Sequence, residues 1–146
     1  MKIITMLLIA LFAATGIQAQ TEITPAQVIF NCGGNKITLK EAKTEGAKLS
    51  PDLDLEVVFS LSELQKLNTE NINFEFRWYY YMSTKKTLMG TTTVTANTSE
   101  AENNLVYVKC EKKNARQGWW EVQIKCKTND TQIEFAGTKE FSILLK

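Results

Sequence analysis

The sequence predicts an all-β chain, folded as an antiparallel β-sandwich of about seven to nine strands. Three observations carry this. Short segments that alternate apolar and polar residues, or are rich in Val, Ile, Thr and aromatic residues, recur from Val28 to Leu145. Turn signals separate them at fairly regular spacing, from Asn31-Cys32-Gly33-Gly34-Asn35 to Asn129-Asp130. Helical spacing is confined to one short stretch. A closed barrel is the second architecture compatible with this pattern.

Taken in order, Thr21–Pro25 is an extended lead-in and Val28–Phe30 a short first strand. Lys36–Lys40 alternates and reads as an edge strand, and the segment from Gly46 to Pro51 is a loop. Leu53–Phe59 is a strong strand. Ser60 and Glu63 have capping-box spacing, with Leu64 and Leu67 three apart behind them, so a helical turn follows. Phe74–Met82 is the next strand, Ser83–Lys86 a turn, and the Thr- and Val-rich Thr87–Thr95 another strand. Leu105–Glu111, Trp119–Lys127, Ile133–Phe135 and Glu140–Leu145 complete the set.

The first nineteen residues have the features of a secretory signal peptide. Lys2 supplies the positive start, Ile3–Ala14 an apolar run too short to span a bilayer, and Ile17-Gln18-Ala19 a cleavage site. Residues 20–146 are then one domain, exported to the periplasm or beyond, with no integral membrane segment. The chain has 17 basic and 16 acidic residues, and loss of Lys2 balances them. This gives no basic footprint for nucleic acid. There is no His, which excludes a Ser-His-Asp triad, a Cys-His dyad and His-containing zinc sites. Three Cys lack the number and spacing of a Cys-only zinc site, so no cofactor or metal is expected.

Gly118-Trp119-Trp120-Glu121-Val122-Gln123-Ile124 has the form Gly-x-Trp-x-Val-x-Ile and precedes a polar turn and a final Phe141-Ser142-Ile143 strand. Over roughly residues 73–146 this resembles the end of bacterial immunoglobulin-like and fibronectin-type-III-like domains. It is also similar to small secreted bacterial families of unknown function with a Gly-x-Trp-x-Val ending. The resemblance implies an immunoglobulin-like sandwich and a binding or structural role, with no catalytic residues to carry over. The chain departs from true immunoglobulin domains in lacking a Cys on the strand before Trp78.

The resemblance also makes 74–82 and 119–127 antiparallel neighbours. One register sets Tyr81 opposite Trp119, Tyr79 opposite Glu121, Arg77 opposite Gln123 and Glu75 opposite Lys125. A slip by two residues keeps the same faces, and a slip by one mixes them. The core face is then Phe74, Phe76, Trp78, Tyr80, Trp120, Val122 and Ile124. Leu55, Val57, Phe59, Val106, Val108, Phe141, Ile143 and Leu145 join it. The opposite face carries Tyr79, Tyr81 and Trp119 beside Arg77. These four are the candidate ligand-binding residues, a flat aromatic platform for a sugar ring or a protein. Ordinary cross-strand aromatic pairing is the simpler account of them, since Tyr and Trp are common strand formers.

In the sandwich topology Cys32 and Cys110 lie at the same end, and a Cys32–Cys110 disulfide is expected. Cys126 lies at the other end, and three buried thiols are the alternative. The carboxylate pairs Asp52/Asp54 and Glu100/Glu102 rise no higher than the background of solvated strand residues, so no catalytic residue is assigned. The expectation is an exported, non-catalytic binding or accessory domain that contacts a glycan or protein. The alternatives are a small exported inhibitor or immunity-type protein acting through loop 83–90 or 96–104, and a carboxylate-based hydrolase.

Overall fold

A computed structural model describes residues 21–48, 50, 52–128, 131–133 and 140–146. The strands are β1 Gln27–Cys32, β2 Asn35–Thr38, β3 Leu53–Ser60, β4 Asn71–Met82, β5 Lys85–Asn97, β6 Leu105–Lys112, β7 Gly118–Thr128, β8 Thr131–Ile133 and β9 Glu140–Leu145. Two short helices, α1 Leu39–Thr44 and α2 Leu61–Gln65, interrupt them. One antiparallel sheet has the order β2-β1-β3-β6. The other runs β5-β4-β7, and β7 then pairs with β9 over Gly118–Gln123 and with β8 over Cys126–Thr128. Because β8 and β9 lie end to end along one side of β7, the second sheet is also four strands wide.

This is an immunoglobulin-like sandwich. Strands β1, β3 and β6 take the places of A, B and E; β5, β4, β7 and β9 take those of C′, C, F and G. The chain crosses between sheets at β3–β4, β5–β6 and β6–β7, so each sheet buries its inward face against the other. The core matches the alternation read from the sequence. Phe74, Phe76, Trp78, Trp120, Val122 and Ile124 face Leu55, Val57, Phe59, Val106 and Val108, and all are buried. Tyr80 alone of the expected set is partly exposed, and its hydroxyl donates to Gln117 O at 2.7 Å. Phe59 and Phe74 stack across the sheets with ring centroids 5.3 Å apart. The wholly buried Phe30, Leu53, Leu64 and Ile72 extend the core beyond the expected list. Each buried side chain of this size contributes about 1.5–3 kcal/mol.

The helix at α1 replaces the end of the expected strand at Lys36–Lys40. Thr38 caps it. Its side chain accepts from Glu41 N while Glu41 Oε2 accepts from Thr38 N at 2.8 Å, so two otherwise unpaired amides are satisfied. Ser60 caps α2 at the spacing read from the sequence by accepting from Glu63 N, but the Glu63 carboxylate takes Thr24 N and Lys66 Nζ instead of closing a box. Among the described residues, no helix is long and apolar enough to cross a membrane. The expected leader at 1–19 and the strand positions Glu134 and Phe135 lie outside the described residues.

The register between β4 and β7 is the first of those allowed. Tyr79 pairs with Glu121, Arg77 with Gln123 and Glu75 with Lys125, and the ladder ends at Tyr80 with Trp120. The expected Cys32–Cys110 disulfide is overturned. The two residues do lie at the same end of the first sheet, Cys32 opposite Leu53 and Cys110 opposite Leu55. They sit on β1 and β6, however, with β3 between them. Two strand spacings separate them by about 10 Å, beyond the roughly 7 Å that a disulfide spans. All three Cys are buried thiols. Cys32 Sγ donates to Lys48 O at 3.1 Å. Burial pushes the Cys32 and Cys110 thiols above their ordinary value.

Candidate functional site

The outward face of the second sheet carries two carboxylates that hardly touch solvent, Glu75 at 7% and Glu121 at 3% exposure. Such groups are retained in a sheet only when paired. Glu75 receives Arg77 Nε at 2.6 Å and Lys127 Nζ at 2.5 Å. These bonds, Lys127 foremost, hold its carboxyl below the usual range against the opposing effect of burial. Glu121 receives Tyr81 Oη at 2.9 Å on one oxygen and Lys86 Nζ at 2.8 Å on the other. Lys86 also sits 4.7 Å from the centre of the Tyr79 ring.

The four candidate residues therefore fall into two groups. Arg77 and Tyr79 belong to the ionic rows, one bound to Glu75 and the other lying under Lys86. Tyr81 and Trp119 come together at the end of the sheet. They line a shallow pocket of about 410 Å³ with Lys43 from α1, Ser83 from the β4–β5 turn and Ser142 from β9. Trp119 is 40% exposed. Tyr81 is partly exposed, and its orientation is fixed by the bond to Glu121.

Local sequence explains how these side chains meet. Parity along β4 turns Tyr79 and Tyr81 outward as Trp78 and Tyr80 turn inward. Ser142 pairs with Glu121 and Leu144 with Trp119, which sets β9 beside the pocket. The α1 segment is held at that edge by Ala47, whose N–H donates to Leu144 O at 2.7 Å. Gly46, at φ +71°, makes this approach possible, since a Cβ there would lie 2.6 Å from Leu144 O. Sequence reasoning missed Lys43 and Ser142. The Thr38-x-x-Glu41 spacing was the available signal for the helix that delivers Lys43. The β4–β5 hairpin adds exposed Met82, Leu88 and Met89.

The arrangement offers two aromatic surfaces, two hydroxyls and one ammonium group around a concavity open to solvent. Among the described residues, no three Cys, Asp or Glu side chains gather at metal-binding distance. Asp54, one of the weighed carboxylates, instead faces Lys109 Nζ at 3.3 Å on the first sheet. No protein-family model matches the chain, and no curated protein matches it in sequence.

Proposed function

We propose that the chain is an exported, non-catalytic binding module and that the Tyr81–Trp119 pocket docks a glycan. The observation that supports this most directly is the pocket itself. An exposed indole and a hydrogen-bond-locked phenol ring share one concavity with Lys43, Ser83 and Ser142. Sugar rings present apolar C–H faces that pack on aromatic rings and hydroxyls that seek side-chain donors and acceptors. Locking the Tyr81 ring before binding lowers the entropy lost on association.

The test is a glycan array probed with the purified protein and with Trp119→Ala. The Trp119 ring is half-exposed, so its removal should leave the fold intact. The expected result is selective binding that falls by about tenfold or more in the variant, as for other aromatic anchors. An array without signal, or binding indifferent to Trp119→Ala, overturns the reading. Exposed Met82, Leu88 and Met89 support a second reading, an inhibitor or immunity-type protein that contacts its target through the hairpin. Pull-down from the native envelope with Leu88→Asp as the control separates the two.

A further inference from the structure

The two sheets leave one side of the sandwich open. The first sheet ends at β6 and the second at β5, and among the described residues neither strand has a neighbour beyond it. Between them lies a second cleft, also of about 410 Å³. Its lining includes Trp78 and Cys110, which are buried, and Gly90, Thr92 and Val94 of β5.

Strand β5 is 13 residues long. After Lys85 and Lys86 it contains no charged residue and no proline through Asn97. Exposed edges are normally blunted by charge, proline, bulges or brevity, because their unpaired N–H and C=O groups otherwise recruit another strand. The single irregularity here is a bulge at Met89, which sets Trp78 opposite Gly90 rather than opposite Met89. A Cβ at Gly90 would meet no atom within 4 Å. A strand added beside β5 would thus place one inward side chain across Gly90 with a clear path toward Trp78.

The cleft also holds an unmet demand. Trp78 Nε1 is buried and meets no oxygen or nitrogen acceptor. The group beside it is the Cys110 thiol, a weak acceptor. Buried indole N–H groups ordinarily find a partner. The lining also carries Lys109, Lys112 and Lys113 against the single carboxylate of Glu111.

We propose that β5 is the receiving edge for an extended segment of a partner protein. The segment adds as a strand and lays an acidic side chain over Gly90, where its carboxylate accepts the Trp78 N–H and faces Lys112. The backbone ladder supplies affinity, and the Gly90 gap supplies specificity for one position of the segment.

Selection of a phage-displayed random dodecapeptide library on the purified protein tests this. The expected winners alternate in polarity with Asp or Glu at one fixed position. The resynthesised peptide shifts the Trp78 indole resonance, and replacing its acidic residue by Ala weakens binding at least tenfold. Gly90→Val fills the gap with a strand-favouring side chain and should weaken binding equally, whereas Trp119→Ala should leave it unchanged. The proposal is overturned if no peptide is enriched, if winners lack the fixed acid, or if Gly90→Val binds like the parent. Self-association through β5 that Gly90→Val abolishes would also overturn it, in favour of a second copy of the chain.

Discussion

Tyr81 donates its phenolic hydrogen to Glu121 Oε1 across 2.9 Å and so joins β4 to β7 on the outward side of the sheet. Lys86 holds the other oxygen, which makes one buried carboxylate the tie for β5, β4 and β7. Removing a partner from a buried charge costs more than the bond was worth, because the charge stays desolvated. Tyr81→Phe should therefore destabilise the protein by about 1.5–3 kcal/mol, read from urea midpoints with an unchanged denaturant slope. Lys86→Met should cost less in a Glu121→Gln background than alone, since the stranded charge is gone. Additive losses in that cycle would show the tie to be incidental.

The parts of this structure that follow from period two were legible in advance. Phe74, Phe76 and Trp78 share a face with Val122 and Ile124 because a one-residue slip would expose all of them. Burial therefore chose the faces of β4 and β7 before any contact was known, and left open the two registers that share those faces. The burial of Glu121 was not legible, because its partners arrive through the β4–β5 hairpin and a cross-strand pairing that side-chain alternation does not encode. The cysteine pairing failed for a related reason. The expected topology put Cys32 and Cys110 at one end, but strand order placed β3 between them, and order is a property of the whole chain. The helix at α1 escaped because Lys36–Lys40 alternates like a strand until the Thr38 cap takes over. In the candidate pocket, the two aromatic residues were readable and the side chains supplied by α1 and β9 were not.

Glu75 and Asp54 should pull the pH dependence of stability in opposite directions. The folded-state pKa of Glu75 is lowered from 4.5, mainly by Lys127, so its contribution is present above that value and is lost as pH falls below it. Burial raises Asp54 from 3.8 in spite of Lys109, so its contribution is present below 3.8 and is lost as pH rises through the folded value. Urea midpoints between about pH 3 and pH 7 should fall toward acid. Glu75→Gln should flatten this fall and Asp54→Asn should steepen it. Identical slopes for the parent and Glu75→Gln would remove Glu75 from the account.

Three buried thiols make a redox prediction. In denaturant under non-reducing conditions, a thiol reagent should titrate all three Cys, whereas a single disulfide would leave one. In the folded protein, burial keeps Cys32 and Cys110 protonated and shielded, so their reaction should be slow. Reductant should not move the unfolding midpoint. A lower midpoint on reduction would reinstate a disulfide.

Gly118, the first residue of the Gly-x-Trp segment, is required for a reason that the structure makes physical. Its φ is +128°, and a Cβ there would lie 2.6 Å from Tyr80 Oη and 2.9 Å from Tyr80 Cε2. The Tyr80 hydroxyl reaches past it to Gln117 O, and Trp120 Nε1 donates to Arg116 O at 2.8 Å. Two inward aromatics of neighbouring strands, with ring centroids 5.0 Å apart, thus anchor the loop that enters β7. Gly118→Ala combines left-handed strain with a collision against a packed ring, and should cost about 2–3 kcal/mol. Gly34 supplies the control: its φ is +84°, yet a Cβ there meets nothing within 4 Å. Gly34→Ala therefore carries conformational strain alone and should cost measurably less. Equal losses at the two glycines would mean that backbone strain, and not the approach of Tyr80, sets the requirement. Tyr80→Leu should then cost as much in the Gly118→Ala protein as in the parent, instead of less.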